Sequence, residues 1–452
     1  MDGTRARRRS ARVASARVGQ GGLVSAVGQL AQPGLEHDAP EQRRVIRVLV
    51  SAQILSGAGL AAGITVGALL ARDMLESTAL AGIPSMLITV GTAVSAVAIG
   101  RMSQRGGRRA GLSAGYFAGA VGAVGVVVAA VLDHVPLLFA ALLIYGAGSA
   151  ANLQARYAGA DLAAPHRRGR AVAIVLFATT LGAVAGPNLA GVMGDFAASI
   201  GIPVLAGPFL LAAVAYALGA VVLWVALRPD PLAVAREMHL EALDAAPVTE
   251  ATPAPMVDRK AVAMGAMVMI VAQVVMVALM TMTPVHMGAH GHGLGAIGIV
   301  IGIHVGAMYL PSPVSGWLVD RYGARTVAAL SGVVFLASAV VGAASPPASV
   351  PLLTLSLALL GLGWSLGLIS GSAMVTAAAP VDHRARTQGN VDFLIALAGA
   401  AGGAASGLVV AHASFAALAI GGGAIALLLI PVLAVSHVSS TREHRPGTID
   451  PS

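Results

Sequence analysis

Long apolar runs limit what this chain can fold into more than any other feature. A membrane core requires roughly 20 apolar residues per helix, and twelve runs of that length follow one another along the 452 residues. They lie at about 46–70, 80–99, 110–132, 136–156, 170–193, 203–227, 261–285, 294–315, 325–344, 351–375, 388–410 and 414–436. Backbone N–H and C=O groups in lipid must be satisfied within their own segment, and the runs lack the alternation of barrel strands. We therefore predict an all-α, polytopic membrane protein with twelve transmembrane helices.

Composition and charge agree with this class. The chain is 57% hydrophobic and 11% charged, whereas about a quarter of the residues in a soluble globule are charged. Twelve spans place both termini on one side, and 27 of the 28 Lys and Arg residues fall on that side, with Arg72 as the exception. The positive-inside rule then predicts cytoplasmic termini in a bacterial plasma membrane. The ratio of 27 Arg to one Lys suggests a high-GC bacterial genome. Nucleic-acid binding is not expected, because no basic face is interleaved with aromatic residues.

A polar stretch divides the spans six and six. The predicted regions are a disordered basic cytoplasmic tail (1–44), an N-terminal six-helix bundle (45–227), a cytoplasmic linker (228–260), a C-terminal six-helix bundle (261–437) and a cytoplasmic C-terminal tail (438–452). The segment GRMSQRGGRR begins at Gly100, and GWLVDRYGAR begins at Gly316, 216 residues later. Further pairs share nearly the same offset: Gly146 and Gly361, Gly148 and Gly363, Pro165 and Pro380, Gly182 and Gly399, Gly186 and Gly403. The repeat predicts two pseudo-symmetric bundles related by an axis along the membrane normal.

The repeated segment resembles the loop signature of the major facilitator superfamily, and the resemblance extends from Val45 to about His437. The residues that carry it are Gly100, Gln104, Arg105, Gly107, Arg108 and Arg109 in the first copy, and Gly316, Asp320, Arg321, Gly323 and Arg325 in the second. The resemblance implies that these loops gate the cytoplasmic side. Asp320 is then expected near Arg170 at the start of the fifth span, and Gln104 near Gln388 at the start of the eleventh. The alternative is that the arginines only set the topology.

The fifth span resembles the signature of the drug:proton antiporter branches of that superfamily, through Gly182, Gly186, Pro187 and Gly191. Proline removes a helix hydrogen bond and the glycines permit close helix packing, so a helix bend is expected there. The resemblance associates this bend with export. Ordinary small-residue packing is the alternative. One departure concerns the fourth span, where related exporters usually carry an arginine ahead of a Gln-Gly pair. At the aligned positions this chain has Leu142 and Tyr145.

Ionisable side chains inside a membrane are costly and are therefore candidates for function. Two could carry a proton: Asp392 in the eleventh span and His304 in the eighth. For Asp392 the alternative is a structural pairing near the cytoplasmic gate, and for His304 it is a satisfied interior histidine.

Polar residues are sparse on the spans that the resemblance places around the central cavity. The candidates for substrate contact are Gln53, Tyr145, Asn152, Gln273 and Trp364. No acidic or basic residue lies deep in these spans, which favours a neutral or amphiphilic, largely apolar solute. His286, His290 and His292 have spacing that could suit a metal, but a glycine-broken loop without carboxylates is interpreted as a solvated turn. We expect no metal, no cofactor and no catalytic residues.

These features together predict a secondary active transporter that works by alternating access. The interpretation is proton-coupled export of small apolar or amphiphilic compounds, as in multidrug efflux. The expected partners are the small-molecule substrate, protons and the lipid bilayer, with the chain acting as a monomer. An uptake carrier for a nutrient or metabolite on the same fold is the alternative. A membrane sensor that transports nothing is the more remote one, since the sequence offers no appended domain for it.

Overall fold

The computed structural model describes residues 38–75, 83–244, 256–427 and 429, and these residues form helices joined by short turns, without strands. The helices are α1 (Gln42–Leu75), α2 (Ile83–Leu132), α3 (Val135–Ala160), α4 (Arg168–Ser199), α5 (Gly207–Ala226), α6 (Pro231–Asp244), α7 (Arg259–Ala289), α8 (Leu294–Tyr309), α9 (Ser312–Tyr322), α10 (Ala324–Ala344), α11 (Val350–Ala378), α12 (Val381–His412) and α13 (Phe415–Leu427). Eight helical stretches of the described chain are long and apolar enough to cross a membrane. The predicted tails 1–44 and 438–452 lie outside the described residues, apart from 38–44.

The predicted spans correspond to these helices with a few differences. The predicted eighth span, 294–315, covers α8 and the first turn of α9. The second and third spans lie within the 50-residue α2, which leaves helical geometry at Gly107 (φ 87°, ψ 165°). Only glycine adopts such a positive φ without strain, so this residue lets the chain turn between the two spans. The predicted linker 228–260 contains helix α6.

Side chains at the helix ends explain several of the boundaries. The carboxylate of Asp258 accepts from the Ala261 N–H at 3.0 Å, and the hydroxyl of Ser349 accepts from the Leu352 N–H at 3.5 Å. The ring of His134 accepts from the Leu137 N–H at 3.1 Å in the same way. Each cap satisfies one of the N–H groups that a helix leaves unpaired in its first turn.

Each half has its own core. In the first half, Tyr116, Tyr145, Tyr216 and Phe209 are fully buried and their rings pack together, with centroids 5.5 to 5.8 Å apart. Glycines let the helices approach closely. At Gly148, for example, an added Cβ would lie 2.6 Å from the Tyr216 ring. The second half is packed around Phe335, Leu357 and other buried aliphatic side chains.

The chain ahead of α1 is fastened to the first half. The Asp38 carboxylate accepts from the Ala164 N–H at 3.0 Å and pairs with Arg167 at 2.9 Å. Partial burial acts to raise the pKa of Asp38, but these two donors outweigh it and hold the pKa below its usual value. The Gln42 amide also donates to the Gly159 carbonyl at 2.7 Å. These contacts hold the start of α1 against the end of α3.

The two halves meet at one end of the bundle, the end that carries the loops at Gln104 and Asp320, which we call the motif face. There α2 crosses α12 at Gly100 and Gly389, and α4 crosses α9 at Gly169 and Gly316. An added Cβ at Gly100 would lie 2.9 Å from the Gly389 Cα, and one at Gly169 would lie 2.6 Å from the Gly316 carbonyl oxygen. The helices therefore touch backbone to backbone, and the structure is closed on the motif face.

The glycine contact gives a first prediction, that Gly169→Ala separates the halves on the motif face. A methyl group there would also lie 2.8 Å from the Val319 Cβ, so the helices must move apart. The sequence contains no cysteine, so spin labels can be attached at Arg43→Cys and Lys260→Cys, two exposed sites at the starts of α1 and α7. We expect the Gly169→Ala variant to shift the measured distances towards longer values.

Gly407→Ala on α12 is the matched control, because a Cβ at Gly407 would meet nothing within 4 Å. Its distance distribution should equal that of the parent protein. Equal distributions for Gly169→Ala and the parent would show that the α4–α9 contact does not hold the motif face closed.

Candidate functional site

Asp320, near the end of α9, caps the helix that begins on the other half. Its carboxylate accepts from the Gly169 N–H at 2.8 Å and from the Arg170 N–H at 3.0 Å, in the first turn of α4. A carboxylate at a helix N-terminus is stabilised by the helix dipole by about 0.3–1 kcal/mol. The expected neighbour of Asp320 is therefore present, while its role in gating stays a prediction.

Gln104 occupies the equivalent place in the first copy and reaches α12. Its side-chain oxygen accepts from the Ala385 N–H at 2.8 Å and the Arg386 N–H at 3.3 Å, and its side-chain nitrogen donates to the Val381 carbonyl at 3.1 Å. The hydrogen-bonding pattern of the acidic copy is thus retained by a neutral amide. The charge that Asp320 brings to the helix dipole is missing at this contact.

Arg108 does not anchor at the membrane surface, as its place in a basic loop would suggest. It is fully buried and donates to both Asp161 carboxylate oxygens, at 2.7 and 3.3 Å, and also to the Gln388 side-chain oxygen. Arg384 from α12 lies 3.7 Å from the same carboxylate and is also buried. Asp161 at the end of α3 is therefore shared by a cation from each half. The Arg108 contact lies within the first half, whereas the Arg384 contact joins the two halves and exists only while the motif face is closed.

Arg156 and Asp392 form a second buried ion pair between the halves, deeper than the first. The guanidinium of Arg156, on α3, donates to Asp392, on α12, at 2.7 Å, and the exposed side-chain fractions are 0% and 2%. Arg156 also donates to the Ser372 hydroxyl at 2.9 Å, and its guanidinium lies 4.1 Å from the centre of the Tyr157 ring. One Asp392 oxygen, Oδ2, has no partner among the described residues. This oxygen is a place where a proton could bind.

Arg156 is the last residue of the predicted fourth span, 136–156. In the structure α3 continues to Ala160, so Arg156 lies one turn inside the helix. The sequence signal for a buried arginine was its position at the end of an apolar span, directly before Tyr157. Its partner lies 236 residues away, and sequence spacing cannot specify that contact.

His304, the other candidate for proton transfer, lies inside the second half. It is fully buried on α8, and one ring nitrogen contacts the Leu357 carbonyl at 2.8 Å. The second ring nitrogen has no partner among the described residues. His304 packs against α11 of its own half, so it does not link the two halves as Asp392 does.

The candidates for substrate contact separate into two groups. Gln53 and Asn152 lie in a buried network of the first half: the Gln53 amide donates to the Asn152 carbonyl at 3.1 Å and to Thr179 at 3.0 Å, and the Asn152 amide donates to Ser56 at 2.9 Å. Tyr145, also buried, donates to the Gly59 carbonyl. In this conformation these side chains form part of the packed first half, and a role in substrate binding stays a prediction.

The second group lies nearer the boundary between the halves. The Trp364 ring nitrogen donates to the Gln273 side-chain oxygen at 2.9 Å, and the Tyr309 ring packs edge-on against Trp364 with centroids 5.6 Å apart. Gln273 and Tyr309 are partly exposed. An aromatic wall with one amide suits a flat or apolar solute better than a charged one. Tyr309 was absent from the sequence-based candidates because its helix position alone gave no signal.

The predicted bend in the fifth span lies on α4, which runs without interruption from Arg168 to Ser199. Gly182 packs closely on α1, since an added Cβ would lie 2.7 Å from the Ala58 nitrogen. Around Gly191 a Cβ would meet nothing within 4 Å. The side chains of residues 183–188, which include Gly186 and Pro187, lie outside the described part, so the bend stays a prediction.

The three histidines at the end of α7 are not assembled as a metal site. The His286 and His290 rings lie 4.5 Å apart, His286 stacks on Phe415 and His292 contacts the Pro347 carbonyl at 2.8 Å. Among the described residues no group of three or more His, Cys, Asp or Glu side chains could hold a metal ion.

Helix α6 of the linker lies against the motif face. The Asp230 carboxylate caps α6 by accepting from the Leu232 N–H at 2.9 Å, and it also accepts from the Arg109 N–H at 2.7 Å. Arg236 donates to the Gln104 carbonyl and lies 3.8 Å from Asp382 on α12. The linker therefore contacts the first half at the loop of Gln104 and the second half at Asp382. Sequence reasoning missed this helix because its 14 residues are too few for a membrane span and were interpreted as part of the linker.

Comparison with known proteins agrees with this architecture. The profile of the Major Facilitator Superfamily matches residues 49–311 and, again, residues 265–450. The uncharacterized MFS-type transporter YdeG of Bacillus subtilis is 55% identical over 402 residues, which cover 87% of this chain and 92% of that protein. The riboflavin transporter RfnT of Brucella anthropi is 29% identical over 364 residues, which cover 79% of this chain and 87% of that protein.

Among solved structures, the human organic anion transporter MFSD10 aligns with a TM-score of 0.70 at 16% identity. The alignment covers 87% of this chain and all of that chain. The all-α, polytopic fold predicted from the sequence is thereby confirmed. With two matches to the family profile and a relative of more than half identical sequence, the chain belongs to the Major Facilitator Superfamily, whose members are membrane transporters and not enzymes.

Proposed function

We propose that this protein exports small apolar or amphiphilic compounds in exchange for protons, by alternating access of its two halves. The observation that carries the proposal is the buried Arg156–Asp392 pair, which joins the halves and includes a titratable group. The fifth-span signature around Gly182 supports export. The aromatic surface that Trp364 and Tyr309 form beside the Gln273 amide supports an apolar or amphiphilic substrate.

The proposal includes a direction and an orientation. The excess of Lys and Arg on the motif face supports a cytoplasmic location for that face in a bacterial plasma membrane. The conformation described here is then the one closed to the cytoplasm. Opening to the cytoplasm requires the contacts of Asp320, Gln104, Asp161 and Asp392 with the opposite half to break.

Protonation of Asp392 supplies the coupling in this scheme. In the closed state the carboxylate balances the buried guanidinium of Arg156, and removing one partner of a buried pair typically costs about 3–5 kcal/mol. A proton on Oδ2, the oxygen without a described partner, cancels the attraction that holds the halves together. Protonation therefore favours the state open to the cytoplasm, where the proton can leave and substrate can enter.

An uptake carrier is the second candidate, and the relationship to the riboflavin transporter RfnT favours it. Riboflavin carries a flat aromatic ring system and a polar tail. The partly exposed Tyr309 and Gln273 beside Trp364 provide an aromatic surface and an amide for such a solute. The two candidates share the fold and the binding wall, and they differ in direction and in substrate.

A growth experiment distinguishes the two functions. We expect a strain that lacks this gene to be hypersensitive to several dyes or antibiotics, and the parent gene to restore resistance. If the protein instead takes up riboflavin, a riboflavin auxotroph that also lacks this gene should fail to grow on low external riboflavin. Unchanged sensitivity across a chemically broad panel, together with such a growth defect, would contradict export.

Asp392→Asn is expected to abolish transport driven by a pH gradient. The asparagine imitates the protonated carboxyl and cannot release a proton. The measurement uses purified protein in liposomes with an imposed pH gradient and a compound identified by the growth panel. Asp392→Glu should retain part of the coupling, and Asp195→Asn, which removes an exposed carboxylate, should behave like the parent. Full pH-driven transport by Asp392→Asn would eliminate Asp392 as the carrier and leave His304 as the residue to test.

Gln104→Asp is expected to strengthen the closed state of the motif face. The new carboxylate would accept from the same N–H groups of Ala385 and Arg386 and would add the dipole interaction that Asp320 makes on α4. Spin labels at Arg43→Cys and Lys260→Cys should then report a larger closed population. Gln104→Glu, which carries the charge on a longer side chain, tests whether placement matters. If Gln104→Asp left the distribution unchanged, the proposed gate contact would lose its support.

A further inference from the structure

A polar cleft of about 400 Å³ opens on the motif face where α2 meets α12. Side chains from both halves line it: Arg101, Gln104 and Arg105 on α2, and Asp382, His383 and Arg386 on α12. The cleft is separate from the aromatic wall at Trp364 and from the buried ion pairs. Any ligand held in it would contact both halves at once.

The charges of this cleft are not balanced within the protein. Arg101, Arg105 and Arg386 are exposed, and their side chains make no hydrogen bond or ion pair with any residue in the described part of the chain. Asp382 is the only carboxylate in the lining, and Arg236 of α6 lies 3.8 Å from it. Three guanidinium groups therefore face a common space without an acidic partner.

The repeat provides an internal comparison. The cleft beside the α4–α9 crossing, of about 730 Å³, is also bounded by α7, α10 and α11. It contains Arg168, Arg325 and His166 together with two carboxylates, Asp258 and Asp320. Gln104 stands where Asp320 stands in that copy. The exchange of carboxylate for amide leaves the α2–α12 cleft cationic, whereas its counterpart has as many acidic as arginine side chains.

The position of the cleft identifies the class of anion. Arg101 and Arg105 lie on α2 just before its break at Gly107. The neighbouring Met102 is 44% exposed, which puts the cleft at the level where the apolar span ends. Guanidinium groups bind phosphate oxygens in a bidentate manner, and basic pockets between membrane helices suit anionic headgroups. We propose that this cleft binds the phosphate of an anionic phospholipid, which bridges Arg101 and Arg105 of one half and Arg386 of the other. The lipid thereby replaces the charge that Gln104 lacks and stabilises the closed motif face.

Native mass spectrometry of the purified full-length protein tests the site. We expect phosphatidylglycerol to occupy a saturable site that phosphatidylcholine does not fill. A basic residue near an anionic lipid contributes about 1 kcal/mol, so each arginine removed should weaken the binding about fivefold. Arg105→Gln and Arg386→Gln, singly and together, should show this loss. Arg321→Gln is the matched control, because it removes the repeat counterpart of Arg105 from the same face and leaves the cleft intact.

A second variant keeps the test decisive if the arginine variants fold poorly. Gln104→Asp restores a carboxylate to the lining, so phosphatidylglycerol should bind more weakly while the protein remains folded. Inorganic phosphate distinguishes a site for free phosphate from a site for a lipid headgroup. Added before or after the lipid, it should neither block nor displace phosphatidylglycerol. Equal binding of the two lipids, full retention of binding in the arginine variants, or displacement by inorganic phosphate would each overturn the proposal.

Discussion

The buried charges between the halves are the interaction on which the rest of this structure depends. Asp392 lies out of water and is neutralised by Arg156 of the opposite half. Asp161 is equally buried and pairs with Arg108 of its own half, while the buried Arg384 approaches it to 3.7 Å from the other half. Such pairs are stable only with good geometry, so the halves must approach to within contact distance for the charges to be tolerated. The glycines at the α2–α12 and α4–α9 crossings permit that approach. Once water reaches the pairs, it solvates the charges, and they no longer hold the halves together. The interface is therefore suited to two discrete states, closed and open.

The two copies of the loop motif are alike in geometry and unlike in charge. Both place a side-chain oxygen against backbone N–H groups of a helix in the opposite half, at 2.8 Å for the shorter contact in each case. Only Asp320 brings a negative charge. The first copy is also the one that α6 of the linker contacts, through Asp230 and Arg236. The uncharged contact at Gln104 therefore receives additional contacts from the linker. The cleft beside it has room for an external anion.

The coupling proposed for Asp392 and the binding proposed for an anionic lipid act on the same equilibrium in opposite directions. A proton on Asp392 removes an attraction within the closed interface, whereas a phosphate in the α2–α12 cleft adds one at its edge. Protonation and lipid binding would both change the separation of the halves on the motif face. Membrane composition would therefore alter the response to protons without any contact between the lipid and the transported compound. The linkage follows from shared states, and it requires no pathway between the two places.

Much of the fold could be predicted from the sequence because its main determinants are local. Runs of about 20 apolar residues dictate helices in lipid, and the repeated glycine and arginine pattern identifies two related halves. Helix α6 was missed because, at 14 residues, it is shorter than the apolar runs that identify membrane spans. For the site, the repeat and the family resemblance singled out the loop residues, and the cost of placing a carboxylate in a membrane singled out Asp392; their roles stay predictions. The partners of Arg108 and Arg156 were not, since each lies on a helix distant in sequence.

The sequence by itself determined the membrane class, the helical architecture, the duplication and the small set of ionisable residues inside it. Only the tertiary structure decided which charges are buried together, that Gln104 keeps a cap without a charge, and that three arginines share one cleft. The physical reason is the same in each case: hydropathy and helix propensity act within a segment, whereas burial and pairing of a charge depend on which distant segments come within a few ångströms.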